Sequence, residues 1–157
     1  MHSDRSPVDL PCACTTVRKA ARAISRIYDD ALAGAGMNVG QLAILRAIGR
    51  ADPAGVALGS LAATLVMDNT SLYRALAPLE RAGWVEITPS GTGRAKRVRH
   101  TDAGRAATDA AAAAWQAVQS RIVTAFGVAR WADVQAAIAD LTAIGVQLGA
   151  GGHRHDT

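Results

Sequence analysis

Residues 59–105, GSLAATLVMDNTSLYRALAPLERAGWVEITPSGTGRAKRVRHTDAGR, decide the fold of this 157-residue chain. Apolar residues recur at helical spacing on both sides of a polar break at 67–69, which predicts two helices joined by a tight turn. The period then becomes that of strands over residues 84–88 and 96–100, with a loop of small residues between them. The stretch therefore predicts helix, turn, helix and a basic β-hairpin.

The boundaries of this module follow from its capping and turn residues. We place a short strand at 56–58, a helix at 59–66 and a second helix that Asp68 or Asn69 caps and Gly83 ends. The two helices can pack together through their leucines, which are Leu61, Leu65, Leu72 and Leu76.

Further helices flank the module on both sides. Asn38 and Gln41 have the spacing of a capping box, Thr101 can cap a long alanine-rich helix, and Gly127 ends it. The fold class is mainly α with a small β-hairpin. We divide the chain into an N-terminal arm, two sets of dimerisation helices, a winged helix-turn-helix and a flexible tail, at 1–13, at 14–36 with 103–148, at 38–102 and at 149–157.

The positive charge is concentrated in the module. Seven basic and four acidic residues within 59–105 supply +3 of the total formal charge of +4. A local excess of positive charge suits a polyanion, although a solvated basic face has the same composition. Hydroxyl and arginine side chains near a helix N-terminus, beside a basic hairpin, favour duplex DNA as the polyanion. The candidate DNA contacts are Ser60, Asn69, Thr70, Ser71, Tyr73, Arg74, Arg94, Lys96 and Arg97.

From about Cys14 to Leu148 the chain resembles the MarR family of winged helix-turn-helix regulators. The resemblance rests on four motifs, which are Leu61-Ala62-x-x-Leu65, Thr70-Ser71-Leu72-Tyr73-Arg74, Leu79-Glu80-Arg81-Ala82-Gly83-Trp84-Val85 and Arg94-x-x-x-Val98-x-x-Thr101-x-x-Gly104. It implies a homodimeric transcription regulator, and we expect a repressor that binds a pseudo-palindromic operator.

The chain departs from the family pattern at two positions. Thr92 stands where the family usually has an aspartate that helps to hold the hairpin. Pro78 falls inside the second helix of the module, which is the one expected to contact DNA. It removes one backbone hydrogen bond and predicts a kink after the first turns.

The helices outside the module carry apolar stripes that a module of this size cannot cover, so we expect a second copy of the chain to bury them. Packing within one chain is the alternative. The resemblance implies a site for a small aromatic or phenolic effector between the dimer helices and the module. Its candidate binding residues are Arg22, Tyr28 and Trp115. Each of them is also a plausible core or surface residue.

Cys14 is a candidate redox residue. Its spacing to Arg22 and Tyr28 resembles the peroxide-sensing branch of the family, but that branch has tyrosines where this chain has Arg18 and Val39. The alternative is that Cys12 and Cys14 are two unreactive thiols.

The sequence gives little support to other classes of function. The sequence has no Ser-His-Asp order. It also has no phosphate-binding loop, because Gly91 and Gly93 lie in a hairpin and not between a strand and a helix, so we do not expect an enzyme. We also expect no metal, no cofactor, no signal peptide and no membrane span, and place the protein in the cytoplasm. Two alternatives stay open: an architectural DNA-binding protein without sequence preference, and a winged helix that binds protein.

Overall fold

The computed structural model describes residues 10–51, 53–91 and 95–151. The N-terminal arm up to residue 9, Thr92 and Arg94 of the hairpin loop, and the tail from residue 152 lie outside these ranges. The helices are α1 Ala13–Leu32, α2 Val39–Gly49, α3 Leu58–Thr64, α4 Asn69–Arg81, α5 Asp102–Phe126 and α6 Val128–Gly151. The strands are β1 Val56–Ala57, β2 Val85–Pro89 and β3 Lys96–His100.

The helix ends confirm the capping residues that the sequence predicts. At the start of α2, Asn38 accepts the backbone N–H of Gln41, and the Gln41 side chain accepts the backbone N–H of Asn38. Thr101 caps α5 through the Gly104 N–H, and Gly127 ends that helix. These caps satisfy backbone groups that a helix end would otherwise leave unpaired.

The sheet has three strands in the order β1-β3-β2, all antiparallel. Ile87 on β2 and Val56 on β1 both pair with Val98, which is fully buried in the central strand. The predicted hairpin is therefore confirmed, and the short strand that precedes α3 is added to its other edge.

The core lies where α2, α3, α4 and α5 pack on this sheet, and α1 packs on α2 and α5. It consists of apolar side chains with almost no exposed surface, among them Leu32, Leu42, Leu45, Leu61, Leu72, Leu76, Leu79 and Val98. Burying each such side chain stabilises the fold by about 1.5–3 kcal/mol before the cost of ordering it.

The turn between α3 and α4 differs in detail from the expectation. The α3 helix ends at Thr64 instead of Val66, because Val66 adopts a φ of 53° and the Met67 N–H bonds back to the Ala62 carbonyl. This is a Schellman arrangement, and it is unusual because a β-branched residue occupies the left-handed position. The helix α4 continues through Pro78 to Arg81.

The last helix is longer at both ends than the span from Trp131 to about Leu148 that its apolar spacing predicts. It starts at Val128, directly after Gly127, where Trp131 donates its N–H to the Gly127 carbonyl. It also includes residues 149–151, which we predicted to belong to the tail, so Gly149 does not end the helix.

Two helices present apolar side chains to solvent in the single chain. They are Val17, Ile24 and Ile27 on α1, and Val128, Ile138, Leu141, Ile144, Val146 and Leu148 on α6. In the described part of the chain, no helix alone has the length and hydropathy to cross a bilayer, and two bent helix pairs reach those values only together.

Candidate nucleic-acid interface

The helix α4 has one buried and one exposed face. Its leucines at 72, 76 and 79 are buried against the core. The side chains near its N-terminus that lie in solvent are Asn69, Thr70, Tyr73 and Arg74. Four of the predicted DNA contacts therefore share an accessible surface at the positive end of the helix dipole.

Ser71, a fifth predicted contact, is engaged within the protein. Its Oγ donates to Asp68 Oδ2 at 2.6 Å, and its backbone N–H donates to Asp68 Oδ1 at 2.8 Å. These hydrogen bonds, the side-chain one first, hold the pKa of Asp68 below its ordinary value. Ser71 thus helps Asp68 to hold the first turn of α4 in place.

The β2–β3 hairpin, which is the wing, contacts α4 through Lys96. The Lys96 ammonium lies 5.6 Å from the centroid of the Tyr73 ring, within the range of a cation–π contact. Both side chains are exposed, and Tyr73 retains 42% of its surface. The wing and α4 therefore present one continuous surface on this side of the molecule.

Arg97, a predicted DNA contact, is turned toward the protein itself. Its guanidinium donates to the carbonyl oxygens of Gly55 and Ala54, in the loop before β1. The next arginine along β3, Arg99, forms a 2.6 Å ion pair with Glu86 on β2. Because side chains alternate along a strand, Arg97 and Arg99 lie on the opposite face of the sheet from Lys96. Ser60 is exposed on α3, where its carbonyl accepts a bond from Thr64.

The residues proposed for an effector are only partly brought together. Tyr28 is buried, and its hydroxyl donates to Gln119 Oε1. Trp115 lies beneath the guanidinium of Arg46, 3.7 Å from the ring centroid. Arg22 is exposed on α1, so the arginine of this cluster is Arg46, which sequence reasoning missed. Its position on an otherwise apolar face of α2 was the signal that could have found it.

Burial changes the titration of this cluster. Desolvation raises the pKa of Tyr28 and lowers the pKa of Arg46, and the neighbouring Arg50 lowers the latter further. A cleft of about 280 Å³ adjoins the cluster, lined by α2, Thr64, Leu65 and Trp115.

Both cysteines are free and exposed at the start of α1. Cys12 holds the N-cap position, and Cys14 lies in the first turn. Hydrogen bonds from Thr15 lower the pKa of the Cys12 thiol.

Comparison with known proteins decides the family. Residues 37–104 match the winged helix DNA-binding domain family. The M. tuberculosis transcriptional regulator MosR, solved in complex with DNA, is 32% identical with a TM-score of 0.81, and the match covers 88% of this chain and 98% of MosR. The chain belongs to the MarR family. Its homologues are transcription regulators, and no enzyme family is indicated among them.

More distant members of the MarR family share the fold. A mutant of MarR from E. coli, solved with operator DNA, is 20% identical with a TM-score of 0.72, over 81% of this chain and 91% of that one. CouR from Rhodococcus jostii RHA1, solved with p-coumaroyl-CoA, is 21% identical with a TM-score of 0.69, over 80% and 88%. No curated protein sequence matches this chain.

Proposed function

We propose that this MarR-family regulator is a repressor that binds a pseudo-palindromic operator as a homodimer. The observation that carries the proposal is the contact between Lys96 and Tyr73, which unites the wing and the exposed start of α4 in one surface. A helix for the major groove and an adjacent basic finger are the two parts that a winged helix uses. MosR and E. coli MarR have both been solved with DNA, which supports the proposal by similarity.

The homodimer is proposed from the apolar side chains on α1 and α6. Exposed apolar stripes on two long helices of one chain mark an interface, and a two-fold axis is the commonest way to cover them. The same axis would set the two copies of α4 about one turn of DNA apart, roughly 34–36 Å.

The proposed contacts divide by role. Arg74 reads a base edge or clamps a phosphate from the start of α4, while Asn69, Thr70 and Ser60 bind phosphate oxygens. Lys96 and Arg94 bind the backbone or the minor groove next to the wing. Ser71 and Arg97 contribute by holding α4 and the loop before β1 in place.

We further propose that a small aromatic effector releases the DNA. The cleft beside Trp115 and Arg46 offers an aromatic ring and a cation, and CouR shows that a relative of this fold binds an organic ligand. Tryptophan fluorescence titrated with a panel of phenolic acids tests this proposal. A flat response across the panel contradicts it.

Thiol oxidation is the second candidate for release, because Cys12 and Cys14 are exposed near one helix start. Iodoacetamide labelling as a function of pH tests it, with Cys14→Ser to assign the rates. If both thiols label with ordinary pH dependence, the redox hypothesis fails.

Fluorescence anisotropy tests DNA binding itself. The operator is first selected from random duplexes, and affinity is then compared on that operator and on a scrambled duplex over a range of salt. Arg74→Ala should weaken operator binding by about 1–3 kcal/mol and reduce the preference over scrambled DNA. Arg94→Ala should weaken both complexes and reduce the salt slope by about 1.

Arg81→Ala is the matched control, because Arg81 is exposed in the last turn of the same helix. It removes the same charge away from the proposed contacts and should leave the preference unchanged. Unchanged affinity in both Arg74→Ala and Arg94→Ala contradicts the proposed interface. Equal wild-type affinity for the two duplexes indicates an architectural DNA-binding protein instead.

A further inference from the structure

A second cleft lies on the neighbouring face of α2, and its described lining includes neither Tyr28 nor Trp115. The C-terminal half of α2 and the first turns of α5 form its walls, and the end of β3 and the loop before β1 close it. Its volume is about 760 Å³, within the range of small-molecule sites. Its charged and titratable lining residues in the described ranges are Arg46, Arg50, Arg99, His100, Arg105 and Asp109.

Guanidinium groups outnumber carboxylates along this cleft. Four arginines line it, and Asp109 is the only carboxylate among its described lining residues. Arg50 is exposed and forms no ion pair with any residue in the described ranges. It lies close enough to Arg46 for its charge to lower the pKa of that guanidinium, after the larger effect of burial. An anion between them would relieve this repulsion.

The two remaining arginines can turn to a ligand at small cost. Arg99 pairs with Glu86, and Arg105 pairs with Asp102 and bonds the His100 carbonyl. All four side chains of these ion pairs keep about half of their surface or more in solvent. Exposed pairs of this kind contribute little to stability, whereas an arginine that binds a phosphate through two N–H donors forms a stronger, charge-assisted contact.

His100 supplies an unsatisfied polar atom at this cleft. The side chain is only 8% exposed, and its Nε2 is buried without a hydrogen-bond partner. A buried polar atom without a partner is costly, so a hydrogen bond from a ligand in the adjoining cleft would stabilise it. Burial lowers the pKa of His100, Arg105 lowers it further, and Asp109 and the Leu45 backbone act in the opposite direction.

We propose that this cleft binds the phosphate monoester group of a small organic molecule. Arg46 and Arg50 form no ion pair within the described ranges, and Arg99 and Arg105 can turn from their exposed partners, so several guanidinium donors favour the oxygen-rich dianion over a singly charged carboxylate. Leu45, Ile48 and Pro53 provide apolar lining for the organic part. The site goes beyond the proposed function, because it shares only Arg46 and Arg50 with the cleft beside Trp115.

The position of the cleft favours a small molecule over the DNA backbone. His100 and Lys96 are the two ends of β3, and four steps along a strand separate them by about 13 Å. Lys96 lies on the proposed DNA surface, so the cleft opens at the other end of the sheet.

Isothermal titration calorimetry of the full chain in a phosphate-free buffer tests the proposal, with phenyl phosphate as the probe at constant ionic strength. Benzoate carries a single charge on the same ring, and benzyl alcohol carries none. Phenyl phosphate should bind at least about tenfold more tightly than benzoate, and benzyl alcohol should not bind measurably. Equal affinities, or no binding of phenyl phosphate, overturn the proposal.

Variants locate the site. Arg50→Gln and Arg105→Gln should each weaken phenyl phosphate by about tenfold, whereas Arg81→Gln, which removes an equal charge on α4, should not change it. In NMR spectra, phenyl phosphate should raise the pKa of His100 in the wild type, an effect that a merely structural arginine would not produce. Because Arg50 lines both clefts and Arg105 lines only this one, binding that survives Arg105→Gln, or a His100 that does not respond, contradicts the assignment.

DNA affinity separates this inference from the proposed function. Arg50→Gln should leave operator affinity within about twofold, because the cleft lies at the end of β3 opposite Lys96 and its described lining includes no residue of α4. If Arg50→Gln weakens operator binding as much as phenyl phosphate binding, the cleft serves the DNA backbone and the inference is wrong. If phenyl phosphate binds as expected while the chain selects no operator, the proposed function fails and the inference stands.

Discussion

Gly104→Ala is expected to destabilise the protein even though alanine is the better helix former. A Cβ at Gly104 would lie 1.9 Å from the Trp84 carbonyl oxygen, about 1.5 Å short of the 3.4 Å at which ordinary contact begins. The same oxygen accepts the Thr101 N–H at 3.1 Å, and the Thr101 hydroxyl bonds both the Gly83 carbonyl and the Gly104 N–H. The methyl group therefore meets rigid backbone at the junction between the wing and α5.

The magnitude follows from the competing terms. Overpacking costs about 1–3 kcal/mol, and loss of the Trp84–Thr101 hydrogen bond adds about 1 kcal/mol. The higher helix propensity of alanine returns about 1 kcal/mol at most. We expect a net loss of about 2 kcal/mol in the free energy of unfolding.

Urea unfolding followed by circular dichroism measures this loss, at one protein concentration because the stability of the proposed dimer would depend on it. Gly59→Ala is the matched control: Gly59 lies in α3 with nothing within 4 Å of the added Cβ. It should be neutral or stabilise by up to about 1 kcal/mol. A Gly104→Ala variant as stable as the wild type would refute the steric reasoning.

Three further predictions concern the turn, the helix cap and pH. Val66→Gly should stabilise the fold by about 1 kcal/mol, because it relieves a left-handed φ at an exposed β-branched residue; a lower urea midpoint argues against this strain. Asp68→Ala should cost about 1 kcal/mol through loss of the cap on α4, whereas Asp68→Asn, which can still accept the Ser71 N–H, should cost much less; equal losses contradict the capping role. The lowered pKa of His100 means that the unfolded chain takes up a proton which the folded chain resists, so stability should fall as pH drops through about 6.5. His100→Gln should remove that part of the pH dependence in urea titrations, and an unaltered pH profile shows that His100 does not cause it.

The sequence predicts local features of this fold well, because short-range chemistry determines them. Asn38 with Gln41, Thr101 with Gly104, and the glycines after α4 and α5 end or start helices as their residue types require. The errors lie where no local signal exists. Nothing in residues 149–151 indicates that α6 continues, and a valine is an unexpected residue for a left-handed turn.

The interface is predicted less well, since a side chain's role depends on which neighbours the fold brings to it. Ser71 and Arg97 have the chemistry of DNA contacts, but Asp68 and the carbonyls before β1 engage them. The contact of Arg46 with Trp115 spans α2 and α5, so it cannot be read from a helical period.

Selection of binding sites from random duplexes tests the central claim most directly. The wild type should enrich a pseudo-palindrome whose half-sites are centred about 10–10.5 base pairs apart, or a multiple of that distance. Arg74→Ala should lose the preference at one position in each half-site, while Arg81→Ala should enrich the wild-type sequence. Failure of the wild type to enrich any sequence, or an unchanged motif with Arg74→Ala, would contradict the assignment of α4 and the wing as one DNA-reading surface.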